Sequence, residues 1–213
     1  MTRDDIAARV RFNLNDTGIT FYSANDINDS IQDGYNEVVA LGRTIESTAT
    51  INFVANLSYY DLSTLISDYM HIIGIFNNNS KKWLDYLPLK LLQATDARWE
   101  TKTGQPKFFT VLDDSYIALY PKLGSASGNM LVMYKAKANT LLAATTPTIQ
   151  TYNQVVLEQY STSDLLEQAE EYSKAQRFSV EYSDELEAIT KQANARNAVD
   201  RINMLQDVML RTI

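Results

Sequence analysis

The residues with the most obvious capacity for chemistry are one histidine, His71, and adjacent carboxylates such as Asp4-Asp5, Asp113-Asp114 and Glu170-Glu171. A lone histidine excludes any metal site built on two imidazoles, and a nucleophile–base–acid triad would have to use it. His71 lies in DYMHIIGIF, flanked by apolar residues on a predicted strand, and no GxSxG elbow occurs in the chain. A packing histidine is the favoured reading, with a small hydrolase using His71 as the alternative. Paired-carboxylate catalysis needs two acids across a cleft with separated pKa values, whereas neighbours on a strand or helix point apart. Asp26, Asn28, Ser30 and Glu37 stand at positions one, three, five and twelve of a calcium loop, but position six is Ile31, where that loop needs glycine. The same residues fit an amphipathic helix, so no metal is expected.

Other chemistries lack their raw material. Without cysteine there is no thiolate metal site, redox motif or disulfide. Seven scattered glycines form neither GxGxxG nor GxxxxGKS/T, so no cofactor is expected. Thirteen tyrosines and two tryptophans fall mostly on the apolar phase of predicted elements, which assigns them to packing rather than to base or sugar stacking. With 19 basic and 26 acidic residues the net charge is −7, and the longest basic run is Lys81-Lys82, so no nucleic-acid-binding face is expected. Residues from Thr151 onward carry −5 of that charge. The N-terminal MTRDDIAARV lacks the apolar core of a leader, and no window approaches the roughly 18 apolar residues of a membrane span. A soluble protein with no membrane partner is expected.

The elements that would position these residues follow from periodicity. Ile6, Val10 and Leu14 predict a short helix with Asp4 and Asp5 in its first turn. Ser23 and Asp26 predict a cap for a second helix along Ile27, Ile31, Tyr35, Val38 and Leu41. From Glu46 the period becomes two, with Asn77-Asn78-Asn79-Ser80 as a turn between strands. Pro88 opens an internal helix with Leu89, Leu92 and Ala97 on one face, and at least three further strands follow. From Thr151 the helical period returns through Tyr152, Val156 and Tyr160. It continues through Leu165, Ala169 and Tyr172, with a break at Ser161-Thr162-Ser163 where Ser161 and Asp164 can cap a new helix. Leu186, Ile189, Ala193, Val199 and Ile202 line a final helix. The predicted fold is α+β: N-terminal helices over 1–45, a β-rich insert with one helix over 46–140, and C-terminal helices with an apolar tail over 141–213. The two helical ends pack as one bundle around a shared core.

Within the insert, Phe108, Thr110 and Leu112 share one face of a strand, and Ile117, Leu119 and Pro121 alternate on the next. Asp113-Asp114-Ser115 between them has the polar residues of a hairpin turn, so these acids are turn chemistry rather than a catalytic pair. Tyr120-Pro121 ends the pairing, because proline has no amide hydrogen.

The same stretch resembles a segment of head-to-tail adaptor proteins of tailed phages, similar to the adaptor or tail tubular proteins of short-tailed phages. The positions that carry the resemblance are Arg98, Trp99, Gly104, Pro106, Phe108, Phe109, Ile117, Leu119, Tyr120 and Pro121, followed by Leu131 and Tyr134 of LVMYKAKA. LLAATTPTIQTYNQVVLEQY is similar to the linker and helix that follow, with Ile149-Gln150 where the family tends to have isoleucine-proline. Detailed likeness covers about residues 95 to 175, and the order of helices and strands extends it over nearly the whole chain. It implies a virion structural protein of the neck, made in the host cytoplasm, and not an enzyme. It further implies a homo-oligomeric ring, commonly of twelve copies, bound beneath the portal protein and joined to tail or nozzle proteins, with DNA passing through unread. The alternative becomes a tail-associated enzyme using His71. The apolar end RINMLQDVMLRTI, with Met204, Leu205, Val208, Met209, Leu210 and Ile213, either closes its own bundle or docks on a partner.

Overall fold

The computed structural model describes residues 1–18, 21–42, 44–149 and 154–210, the side chains of 196–210 excepted. The chain is an α+β protein in two compact units, Met1–Ile45 with Ala138–Ile213, and Glu46–Lys137.

The first unit is a helical bundle. Helix α1 (Arg3–Asn13) starts at a reciprocal cap: Thr2 Oγ1 accepts from the Asp5 amide at 3.2 Å and the Thr2 amide donates to Asp5 Oδ2 at 2.7 Å. Helix α2 (Ala24–Gly42) starts the same way, with the Ser23 amide donating to Asp26 Oδ2 at 2.9 Å and the Asp26 amide to Ser23 Oγ at 3.1 Å. These caps satisfy amides that no helical carbonyl can reach. Ile6 and Val10 of α1 and Ile27, Ile31, Tyr35 and Val38 of α2 are buried, as their spacing predicts. Leu41 is not: it is 54% exposed, because Gly42 continues the buried phase from Val38 and packs beside Ile189.

Helix α5 (Val155–Gln168) runs unbroken through Ser161-Thr162-Ser163. The expected break there is wrong for a physical reason. All three residues are buried, because α5 packs against α1, α2 and α6 (Tyr172–Leu210) and has no solvent face at this level. Ser161 Oγ donates to the Leu157 carbonyl at 2.8 Å, so its hydroxyl is satisfied without leaving the helix. The chain turns instead at Ala169–Glu171, where Glu170 takes a positive φ of 60°. Ala169 is therefore a cap and Tyr172 is 65% exposed, so neither continues the buried face expected of it. Tyr152 lies outside the described residues, as do the side chains of Val199 and Ile202.

The second unit holds two four-stranded sheets. One has the order β1 (Glu46–Asn52), β8 (Asn129–Ala136), β3 (Tyr69–Asn77), β4 (Lys82–Trp83), all antiparallel. The other runs β2 (Tyr59–Asp61), β7 (Tyr116–Tyr120), β6 (Phe108–Val111), β5 (Asp85–Tyr86), with β5 and β6 parallel. A single turn of helix, α3 (Leu62–Leu65), follows β2, and α4 (Leu89–Thr95) follows β5. Pro88 is the N-cap of α4 and Leu92 is its buried residue. Ala97 lies past the helix end and is exposed. Trp99, 4% exposed, packs instead with Leu92, Ala118 and Tyr120. That cluster covers one side of β7 while Ile117 and Leu119 are buried on the other, so the alternation predicted for a half-buried strand gives way to a strand covered on both faces.

Candidate functional site

The residues that looked most like catalysts are spread apart by the fold. His71 is exposed on β3, in register with Lys135 of β8, which is in register with Glu46 of β1. Lys135 and Glu46 form an ion pair at 2.7 Å, with the lysine side chain 5% exposed. Asp113 is a turn acid: Oδ1 accepts from the amides of Ser115 and Tyr116 at 3.0 and 2.9 Å, and these donors hold its carboxyl below the usual range. The hairpin closes around it in the register Phe108 with Tyr120 through Val111 with Ile117. The calcium-like spacing is dispersed around α2, where Asp26 caps, Ser30 Oγ donates to Asp164 Oδ2 at 2.6 Å and Glu37 accepts from the Tyr182 hydroxyl at 2.8 Å. Among the described residues no three His, Asp or Glu side chains are placed to share a metal ion. No helix among them is long and apolar enough to cross a membrane.

The positions that carry the adaptor resemblance gather on the second unit as packing and turn residues. Trp99 and Tyr120 share the cluster described above, with half-buried Phe108 against it. The Tyr120 hydroxyl donates to Asp96 Oδ2 at 2.9 Å, and Asp96 Oδ1 accepts the Arg98 amide at 3.0 Å. Backbone and hydroxyl donors together hold Asp96 below the ordinary carboxylate range. Arg98 itself is exposed, beside a shallow depression of about 470 Å³ lined by Gln93, Ala97, Arg98, Trp99, Glu100 and Thr101. Pro106 is buried, and its carbonyl accepts from Asn77 Nδ2 at 3.4 Å. Asn77, fully buried, also accepts from the Asn79 and Ser80 amides, which ties the β3–β4 turn to the Pro106 segment. Gly104 sits against Pro121, which a Cβ would meet at 3.5 Å. Burial and the Glu100 carboxylate beside it push the Tyr59 hydroxyl up to about 12.

Sequence reasoning missed the seam between α2, α5 and α6. Gly34 lets α5 approach so closely that a Cβ would lie 2.6 Å from Tyr160 Cδ1. Tyr160 stacks edge-on with Tyr182 at 5.3 Å between ring centroids. Burial raises the Tyr160 hydroxyl's pKa, and the carboxylates of Glu37, Asp164, Asp33 and Glu167 around it push the same way. The signal available in the sequence was a glycine in the middle of a confident helix, which costs stability unless another backbone or ring needs the space.

Of the candidate docking residues, Met204, Leu205, Met209 and Leu210 lie on α6, their side chains outside the described residues, as is Ile213 altogether. Helix α2 ends with Gly42 beside Ile189, and α6 continues 21 residues further to Leu210. At 1.5 Å per residue that is about 32 Å of helix beyond the end of α2.

No curated protein matches the sequence. The model of the SU10 adaptor protein family matches residues 1–206, which is nearly the whole chain and includes both units. With that match over nearly its whole length, the chain belongs to the SU10 adaptor protein family, a family of phage head–tail adaptors.

Proposed function

We propose that this phage structural adaptor forms a ring beneath the portal, linking it to tail or nozzle proteins around the DNA exit channel, with twelve copies as the expected number. The family match over residues 1–206 carries the reading. The net charge of −7 supports passage of DNA without a grip on its phosphates. The extended reach of α6 supports docking through Met204, Leu205, Met209, Leu210 and Ile213 on the portal or an adjacent subunit. Association is heterologous and closes into a ring, so it requires two different surfaces on each copy.

The test is an image of neck complexes from virions carrying a tagged copy of the chain. Density for the tag between portal and tail supports the proposal, and a neck without it overturns the proposal. Deleting residues 203–213 is expected to abolish portal capture, and unchanged capture would remove the tail from the interface. His71→Ala is expected to leave assembly intact and stability within about 0.5 kcal/mol, as for an exposed residue. Loss of a hydrolytic activity in that variant would favour the enzyme alternative.

A further inference from the structure

The two units carry opposite charge balances. The bundle sequence has ten basic and eighteen acidic residues, net −8, and the β-unit nine basic and eight acidic, net +1. Strand register concentrates the positive charge at one end of the β-unit. Lys82 faces Asn77 in the β3–β4 pairing, with Lys81 beside it in the turn. Asn77 reaches the Pro106 carbonyl, next to Lys107. The Lys107 amide bonds Tyr120, and the Lys122 carbonyl accepts from Gly104 at 2.9 Å. Lys81, Lys82, Lys107 and Lys122 therefore share one end of the unit, with Trp83 exposed beside them and Asp85 the nearest acid in sequence. None of the four lysines has an ion-pair partner among the described residues. The chain enters and leaves the unit at its other end, where Glu46 pairs with Lys135 and Tyr69 with Ala136. Across the eight residues of β8 that separation is about 25 Å.

The complement exists on the same chain. Asp33 and Glu37 flank Gly34 on α2, against which Tyr160 of α5 packs; Asp164 of α5 accepts from Ser30 across the same seam, Glu37 accepts from Tyr182, and Glu167 follows one turn along α5. None of the four acids has a cationic partner within ion-pair distance among the described residues. We propose that the lysine end of the β-unit docks on the acidic α2–α5 seam of a second copy. The occupant is chosen by charge complementarity, with Trp83 supplying an apolar anchor. Ring closure then needs no further surface: each copy presents one lysine end and one acidic seam, and successive copies engage in a single direction. This interface rests on the ring reading and gives it a residue-level contact.

Equal amounts of light and heavy-isotope-labelled full-length chain are mixed in low salt and treated with a carbodiimide that joins amines directly to carboxylates. Links from Lys81, Lys82, Lys107 or Lys122 to the seam acids are expected, about half of them joining one light and one heavy peptide. The variant K81E/K82E/K107E/K122E, checked for folding by circular dichroism, is expected to self-associate roughly tenfold more weakly. A D33K/E167K chain, altered only at exposed seam positions, should recover association when mixed with it. The proposal fails if linked pairs are all of one isotope, if links fall elsewhere, or if the reversed variant associates like the parent. It also fails if that variant loses binding to a short DNA duplex while self-association is unchanged, which would make the lysine end a phosphate contact. Rings that still form on the portal from the reversed variant overturn this interface and leave the ring reading standing. A parent chain that neither self-associates nor binds portal removes both.

Discussion

The bundle and the β-unit both pair polar groups within the fold, and they do it by different means. In the bundle, α5 places Ser161, Thr162 and Ser163 in the core, where the helix has already paired its own backbone and a hydroxyl needs only a nearby carbonyl. Ser163 finds one on α6, donating to Ala175 at 3.2 Å. In the β-unit the unpaired groups are backbone amides at turns and strand ends, and the side chains that serve them are carboxylates and amides. Asp61 accepts from Ser63, Asp96 from Arg98, Asp113 from Ser115 and Tyr116, and Asn77 from Asn79 and Ser80. Short hydroxyls therefore mark the interior of the helical unit, and acids and asparagines mark the corners of the other. Of the acidic pairs that suggested catalysis, Asp113 belongs to the second pattern and Asp5 caps a helix.

The strongest way to break the contrast is Trp99→Ala, which empties the space against Leu92, Ala118 and Tyr120 and is expected to cost about 3–5 kcal/mol. Hydrogen exchange should then accelerate across residues 108–120 and leave 156–166 protected; equal loss in both would show that the units do not unfold separately. Next in size, Gly34→Ala forces a methyl to within 2.6 Å of Tyr160 and should destabilise the bundle by about 1–3 kcal/mol, read as faster exchange in α2 and α5 with the β-unit unchanged. Thr162→Val sharpens the comparison from the other side. Its hydroxyl is fully buried with no hydrogen-bond partner among the described residues, so the isosteric apolar side chain is expected to raise the bundle's stability by about 1 kcal/mol in urea titration.

The smallest effect concerns acid. Side-chain and backbone bonds to Ser23 lower the pKa of Asp26 below 3.8, so its contribution is complete above that value. It is lost as pH falls through the lower folded pKa. Amides at the start of α2 should lose protection below about pH 4, and Asp26→Asn should remove that pH dependence.

Much of the architecture was legible because its signals were local. Ser23 and Asp26 announced a cap, the period of two from Glu46 announced strands, and Asp113-Asp114-Ser115 announced a hairpin turn. What escaped depended on neighbours distant in sequence. The Ser161–Ser163 run read as a break because hydroxyls favour helix ends, and only the packing of three helices around α5 makes them interior. Leu41 was assigned to the core by spacing, but the close approach of Ile189 to Gly42 gave that place to the glycine. The acidic seam was illegible for the same reason: Asp33 and Glu37 lie more than a hundred residues from Asp164 and Glu167, and only the helix packing brings them around Tyr160.

The length of α6 couples reach to angle. Each residue added or removed between Ile189 and the end of the helix shifts everything beyond it by about 1.5 Å and swings it through about 100°. An insertion of seven residues would lengthen the arm by about 10 Å while turning its tip only about 20°, whereas two residues would point the tip almost backwards. Indels in this arm should therefore be tolerated in steps of seven, like the thread of a screw that seats only at whole turns.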